Sequence, residues 1–280
     1  MAVNLGRDNL PWSADTWRDI DAAVLDAAGP LRTAQKVFPA ATDGNGQYVP
    51  DDAIQRQEGA TALEIPEGRT KPYVELSVDV ALTQAQVENE DTLHTGRTLT
   101  VLAAKEVAQA EDTLFFQGAA ALAHGLLRVA NGAGAGLLNL DGAPVVDVPG
   151  EDGGYGLNTF KSVVDGIGVL TGNGQPGPYA LVLATDVFAD AYAPVGGTLT
   201  TTADRLTPLL PGGFYGTGTL PARTGLLASL GGQPTMLYVG QDLITAYAQS
   251  NDKGQTVLRV YERVQIIARD PTAIVKLAFR

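Results

Sequence analysis

Between residues 72 and 82 apolar and polar positions alternate without a break. Val74, Leu76, Val78, Val80 and Leu82 fall on one side, and Tyr73, Glu75, Ser77, Asp79 and Ala81 on the other. A period of two marks a strand with one face buried. Two other stretches carry helical spacing. In residues 13–28, Trp17, Ile20, Val24, Leu25 and Ala28 form one stripe, Ser13 is placed to cap it, Asp15 suits the first turn, and Gly29-Pro30 ends it. In residues 98–117 the stripe is Leu99, Leu102, Ala103, Val107, Ala110 and Leu114, with Glu106 and Asp112 off it and Gly118 as a stop. Residues 157–170 predict a further helix, and 179–184 (YALVLA) a buried strand leading into a helix near 186–192. Strands are predicted at 225–230, 235–239, 243–249, 257–268 and 273–279. Helices followed by late antiparallel strands give an α+β fold class.

Two regions lack periodicity. Residues 39–71 are punctuated by Gly44, Gly46, Pro50, Gly59, Pro66 and Gly68, and residues 194–218 are rich in Gly, Thr and Pro. A patternless segment as long as the first is uncommon inside a compact domain and marks an arm, a lid or an interaction loop, an ordinary surface hairpin being the plainer alternative.

Composition narrows the function classes. The chain has 280 residues, 45% hydrophobic and 18% charged, which is globular and not disordered. Its formal net charge of −12, with Lys and Arg scattered, makes nucleic-acid binding through the general surface electrostatically unfavourable. The absence of cysteine excludes disulfides, thiolate metal sites and Cys nucleophiles. There is no basic-then-apolar opening segment and no run of about eighteen apolar residues, so the expectation is a soluble cytoplasmic protein with no membrane partner.

The search for chemistry returns little. Gly172 to Gly177 (GNGQPG) matches G-x-G-x-x-G, but a dinucleotide fingerprint follows a strand and opens a helix, whereas here a helix precedes the glycines and a strand follows. Pro176 and Pro178 also remove amides that a phosphate would need. His94 and His124 are the two histidines, and neither has a paired-ligand spacing. Glu88, Glu90 and Asp91, and again Glu111 and Asp112, are expected on solvated helix faces. No G-x-S-x-G elbow is present. No catalytic, cofactor or metal residue is therefore predicted, and an enzyme is not expected.

The order of elements, an opening helix, a long arm closed by a strand, one long helix, an α/β region and final strands, resembles the HK97-type capsid fold. Individual stretches are similar to family 1 encapsulins: residues 11–20 (PWSADTWRDI), 72–82 (PYVELSVDVAL), 110–118 (AEDTLFFQG), 125–131 (GLLRVAN), 177–183 (GPYALVL), 239–247 (VGQDLITAY) and 270–277 (DPTAIVKL). The resemblance implies an N-terminal helix and lead-in over 1–42 and an extended arm (E-loop) with its closing strand over 43–82. It implies a peripheral domain with a spine helix over 83–130, a mainly axial domain over 131–230, and strands returning to the peripheral domain over 231–280.

The same resemblance implies a structural shell protein that self-assembles into an icosahedral nanocompartment enclosing a cargo protein held by a short targeting peptide. In that family the opening helix lies on the inner wall, which maps the peptide contacts to Trp17, Ile20, Val24 and Leu25, with Leu31, Val37 and Phe38 nearby. Gln35 and Pro39 stand where some relatives carry flanking charges. Some encapsulins also stack a flavin on an aromatic residue just after the arm's closing strand; the matching position is Ala85, so no cofactor is expected. Pro194, Gly196, Gly197, Thr198 and Thr200 map to a pore loop at a symmetry axis. The alternative on the same fold is a phage or prophage major capsid protein packaging DNA. A first packed helix reached by Ser13, with no long charged scaffolding segment before it, favours the cargo container. Lys71, at the base of the arm, is the one lysine there for covalent cross-linking, and nothing calls for it.

Overall fold

In the computed structural model, which describes residues 5–42, 46–54, 65, 67–122, 125–131, 134–150, 154–194 and 199–280, two five-stranded sheets organise the chain. Ser13 Oγ accepts the Thr16 N–H at 3.0 Å, and from that cap α1 (Ala14–Ala28) runs to Gly29. It buries Trp17, Ile20, Ala23, Val24 and Ala28. Leu25, expected on this stripe, is 41% exposed. The reason is angular: each residue turns the helix by about 100°, so Leu25 falls beyond the edge of a face centred on Ile20 and Val24, and Ala23 takes the inner position instead.

The chain continues through α2 (Thr33–Val37) and β1 (Ala40–Thr42) into the arm, where β2 (Tyr48–Pro50) pairs with β3 (Thr70–Pro72) as a two-stranded ribbon. Residues 43–45, 55–64 and 66 of the arm lie outside the described residues. The base of the ribbon is tied down: Val49 and Tyr73 pack on Ile267, Arg269 Nε donates to Asp52 Oδ2 at 2.6 Å, and Ile54 N donates to Arg269 O at 2.8 Å.

β4 (Val74–Leu82) keeps the predicted strand with Val74, Leu76, Val78 and Leu82 buried, but Val80 is half-buried and Tyr73 and Ser77, on the face expected to be open, are buried as well. The short α3 (Gln84–Glu88) and α4 (Glu90–Leu93) lead to α5 (Thr95–Gln117), the longest helix among the described residues. It starts at Thr95 and not at residue 98 because the Glu90 carboxylate caps it, accepting the Gly96 N–H at 2.7 Å and the Arg97 N–H at 2.9 Å. Burial around α5 exceeds the predicted stripe. Ala104, Ala108, Glu111, Asp112, Phe115 and Phe116 are all inside, while Leu102 is 54% exposed.

The remaining elements are β5 (Leu127–Ala130), β6 (Val145–Val148), α6 (Gly156–Gly172), β7 (Tyr179–Ala184), α7 (Thr185–Ala191), α8 (Thr202–Leu206), β8 (Gly213–Thr217), β9 (Thr224–Ser229), β10 (Thr235–Ser250), β11 (Thr256–Ala268) and β12 (Ile274–Phe279). The first sheet has the order β1-β10-β11-β4-β5, with α5 lying against β4 and β11 and α1 lying on α5. The second has the order β6-β12-β9-β7-β8, with α6 across β6, β12 and β9. One hydrophobic core runs through both.

One further departure from the sequence reading stands out. The strands expected at 235–239 and 243–249 are one strand, β10, whose register on β11 shifts on both sides of Gln241. Gly240 sits at the first shift, where a Cβ would lie 3.0 Å from the Tyr73 ring, so the arm's last residue occupies the space a side chain would need. β10 and β11 belong to the first sheet, whereas β12 pairs with β6 and β9 in the second, so the closing strands are shared between the two sheets.

α5 ends where two glycines cross. Gly118 has φ 93 and Gly136 has φ 72, and a Cβ on Gly136 would lie 2.2 Å from Gly118 N. Gly136→Ala should therefore lower the unfolding free energy by about 2 kcal/mol or more, measured by denaturant titration. Gly168→Ala, at an exposed α6 position whose Cβ meets nothing within 4 Å, should leave it unchanged or raise it by up to about 1 kcal/mol. Equal effects at the two sites would contradict this account of the crossing.

Candidate functional site

The seven residues mapped to peptide contact do not share one surface. Trp17, Ile20, Val24, Val37 and Phe38 are buried in the subunit's own core, because the α1 stripe is spent on α5 and the first sheet. Leu25 is exposed and Leu31 is half-buried. Leu31 lines a groove of about 370 Å³ with Ala110, Leu122 and Leu127, flanked by Thr113 and Thr219. A second groove, of about 630 Å³ between α1 and α4, is acidic, lined by Asp15, Asp19, Asp26 and Asp91 beside His94 and Arg97. A third, of about 600 Å³, holds Trp12, Trp17, Arg7 and Arg18. Sequence reasoning passed over Trp12, whose Nε1 donates to Val87 O at 2.9 Å and whose ring centroid lies 4.9 Å from that of Trp17.

Between the start of α2, α5 and the first sheet lies a charge cluster that no local pattern announces. Arg32 precedes α2 and is 5% exposed. Its Nε lies 2.8 Å from Glu111 Oε2 on α5, its Nη1 donates to Asp242 Oδ1 on β10 at 2.8 Å, and its Nη2 donates to Glu262 Oε2 on β11. Gln35 Nε2 donates to Glu111 Oε1 at 2.6 Å. Asp112 accepts the Thr33 and Ala34 N–H groups, each at 2.9 Å, and so caps α2 from the long helix. The expectation that Glu111 and Asp112 sit on a solvated face is thus corrected: both are fully buried, because Arg32 and the open end of α2 need them.

Burial sets the acidity of the cluster. It pushes Asp112 up to about 6 even though the Ala34 and Thr33 amides pull the other way. It pushes Glu262 up to about 7 against the opposing pull of Arg32. Glu111 is held above the ordinary carboxylate range by burial first and by the Glu262 charge second. Burial alone would lower the Arg32 value, but Glu262, Glu111 and Asp242 together hold it above the usual range for a guanidinium.

The other candidates fall as follows. Gly172 closes α6 and β7 begins at Tyr179, so the glycine motif is a helix-to-strand turn. His94, with φ 50, separates α4 from α5 and is exposed; His124 lies outside the described residues. Glu88 and Asp91 are exposed as expected, whereas Glu90 is buried as the α5 cap. Ala85 is exposed on α3 and offers a methyl group where a flavin ring would need an aromatic face, so this position does not fit that cofactor. Pro194 and Thr200 are exposed, with Pro194 bridging to Thr201; Gly196, Gly197 and Thr198 lie outside the described residues. Among the described residues no group of three or more His, Cys, Asp or Glu side chains could hold a metal ion, and no helix is long and apolar enough to cross a membrane.

The sequence matches, over residues 1–265, the family described as encapsulating protein for peroxidase. A type 1 encapsulin shell protein, EncA, of Myxococcus xanthus is 28% identical over 175 residues, which is 62% of this chain and 56% of that protein. The match thus spans little more than half the length of that relative. The fold is similar to the virus-like particle from Pyrococcus furiosus, with a TM-score of 0.71 at 17% identity over 94% of this chain and 100% of that one. It is also similar to the capsid of Myoviridae phage XM1, with a TM-score of 0.62 at 13% identity over 89% and 92%. These likenesses establish the HK97-like capsid fold, with extended arm, peripheral domain on a spine helix (α5) and axial domain. With that fold in place and a family match running over most of its length, the chain belongs to the encapsulins, the encapsulating proteins for peroxidase.

Proposed function

We propose that this chain is a non-catalytic structural subunit that closes with many copies of itself into an icosahedral shell in the cytoplasm, enclosing a cargo protein. The observation that carries the reading is the family match over residues 1–265 on a capsid-type fold. The family's description names a peroxidase as what such proteins enclose, which makes an enzyme of that kind the first cargo to test. The phage reading has no observation of its own in its favour. A loop around Pro194 and Thr200 at a symmetry axis would leave a small-residue aperture, a further part of the proposal.

The cargo peptide would dock on what α1 and α2 leave open. Of the seven residues mapped to peptide contact, Leu25 is exposed and Leu31 lines a groove, so these two can offer apolar contact, while Trp17, Ile20, Val24, Val37 and Phe38 are buried in the core. Fully burying one leucine is worth roughly 1.5–3 kcal/mol, so two such anchors can seat a short peptide once its ordering cost is met.

Three outcomes test this. Negative-stain microscopy of the protein expressed alone should show closed, nearly uniform shells without a nucleic-acid absorbance signature. A small soluble species would refute the container, and shells filled with nucleic acid would move the reading to a viral capsid. Because each subunit carries a formal charge of −12, raising salt should strengthen assembly by screening repulsion between copies, as followed by light scattering. Shells that dissociate as salt rises would contradict it. Leu31→Asp should leave the shell intact and weaken capture of a co-expressed cargo peptide by about tenfold or more, read by pull-down at graded peptide concentration. Undiminished capture by this variant would remove the groove from the proposal.

A further inference from the structure

The charges around Arg32 do not balance. One guanidinium faces three carboxyl groups, and only Asp242, with a side chain 56% exposed, retains water as a partner. Glu111 and Glu262 have no exposed surface, so two ionised carboxylates there would leave one buried charge without a counter-ion. The hydrogen bonding is unbalanced in the same way. Glu262 Oε2 takes the Arg32 Nη2 proton, but Glu262 Oε1 is buried and has no donor while both glutamates are ionised. Glu111 ends on the same guanidinium as Glu262, and a carboxyl group there donates only when protonated.

The other facing groups cannot supply what is missing. Gln35 on α2 uses its amide on Glu111 Oε1, and Asp112 on α5 is occupied by the Thr33 and Ala34 amides. Lys36 on α2 acts on Asp112 and donates to Pro30 O at 2.6 Å. From β10 the charged group is Asp242, a further anion. We propose that Glu111 and Glu262 hold one proton between them in the folded chain at neutral pH, and that its loss at higher pH loosens the joint between α5 and the first sheet. The cluster is then a latch that closes as protons bind and opens as they leave.

The acidities agree in direction. Burial raises both glutamates, and each is sensitive to the charge or hydrogen bond of the other. The sign follows. A carboxyl group raised from 4.5 to about 7, as Glu262 is, takes up a proton on folding, so its contribution to stability is full below 4.5 and is lost as pH rises through about 7. Asp112, raised from 3.8 to about 6, contributes with the same sign at the lower end of that window.

The test needs no shell, so its failure is separable from failure of the container reading. Unfolding by urea at about pH 7 in weak buffer should release on the order of one proton per chain. Infrared spectra of the folded protein should show the C=O stretch of a protonated carboxyl, fading as pH rises. Glu111→Gln, which keeps the neutral shape, should fold, lose the infrared band, release about one proton fewer, and flatten the fall in stability between about pH 6 and pH 8. Glu262→Gln should act in the same direction and serves if the first variant does not fold. An unmodified protein with no such band at neutral pH would overturn the proposal, as would a Glu111→Gln variant whose proton release matches the parent.

Discussion

Arg32 ties together three parts of the chain through deeply buried charged groups. It comes from the short link between α1 and α2, and its guanidinium reaches α5, β10 and β11 at once. Removing one partner of a buried ion cluster typically costs about 3–5 kcal/mol, while replacing the whole cluster with well-packed apolar groups can be neutral. What such a cluster contributes over apolar packing is register. An apolar α2 could slide or rotate on α5; one whose first amides end on Asp112 and whose preceding arginine ends on Glu111 has one seat. That seat in turn fixes α1, which turns Leu25 outward and leaves Leu31 at the groove.

Much of the fold was legible because it is written in local pattern. The Ser13 cap, the alternation of β4 and the stop at Gly118 each involve residues a few positions apart, and all three appear where the pattern puts them. The burial of Glu111 and Asp112 is hidden by distance along the chain. Arg32 and Glu262 are separated by 230 positions, so nothing near Glu111 or Asp112 announces that they are wanted inside. The start of α5 was set three residues late because Glu90 was read as one more acid on a solvated face and not as a cap. The strands expected at 235–239 and 243–249 are continuous through Gly240, whose missing side chain leaves the space that Tyr73 fills.

The candidate surface was harder to read than the fold for a related reason. A helical stripe tells which residues are apolar together but not whether a core or a ligand claims them, and here the core claims most of the stripe. Colinear resemblance carried the family where single residues could not. Capsid structures match this fold at TM-scores of 0.71 and 0.62 with 17% and 13% identity, so one fold is reached with largely different side chains, as expected where a core needs residues of suitable size more than particular ones.

The arm is anchored to the body of the chain at its base. Its base is over-determined: Tyr73 fills the gap above Gly240, Arg263 lies 5.5 Å over the Tyr73 ring, Arg269 holds Asp52, and Asp51 pairs with Arg69 and Lys71. All of these contacts lead to β10 or β11 or lie within the ribbon, and the same two strands carry Asp242 and Glu262. The ribbon base and the Arg32 cluster therefore share one pair of strands as their support. A change in how firmly α5 and α2 hold β10 and β11 would be felt at the base of the arm without any new contact forming, because the two strands are hydrogen-bonded along most of their length. In a shell built from such subunits, proton binding at a buried cluster and the set of the arm would then be linked through the sheet between them.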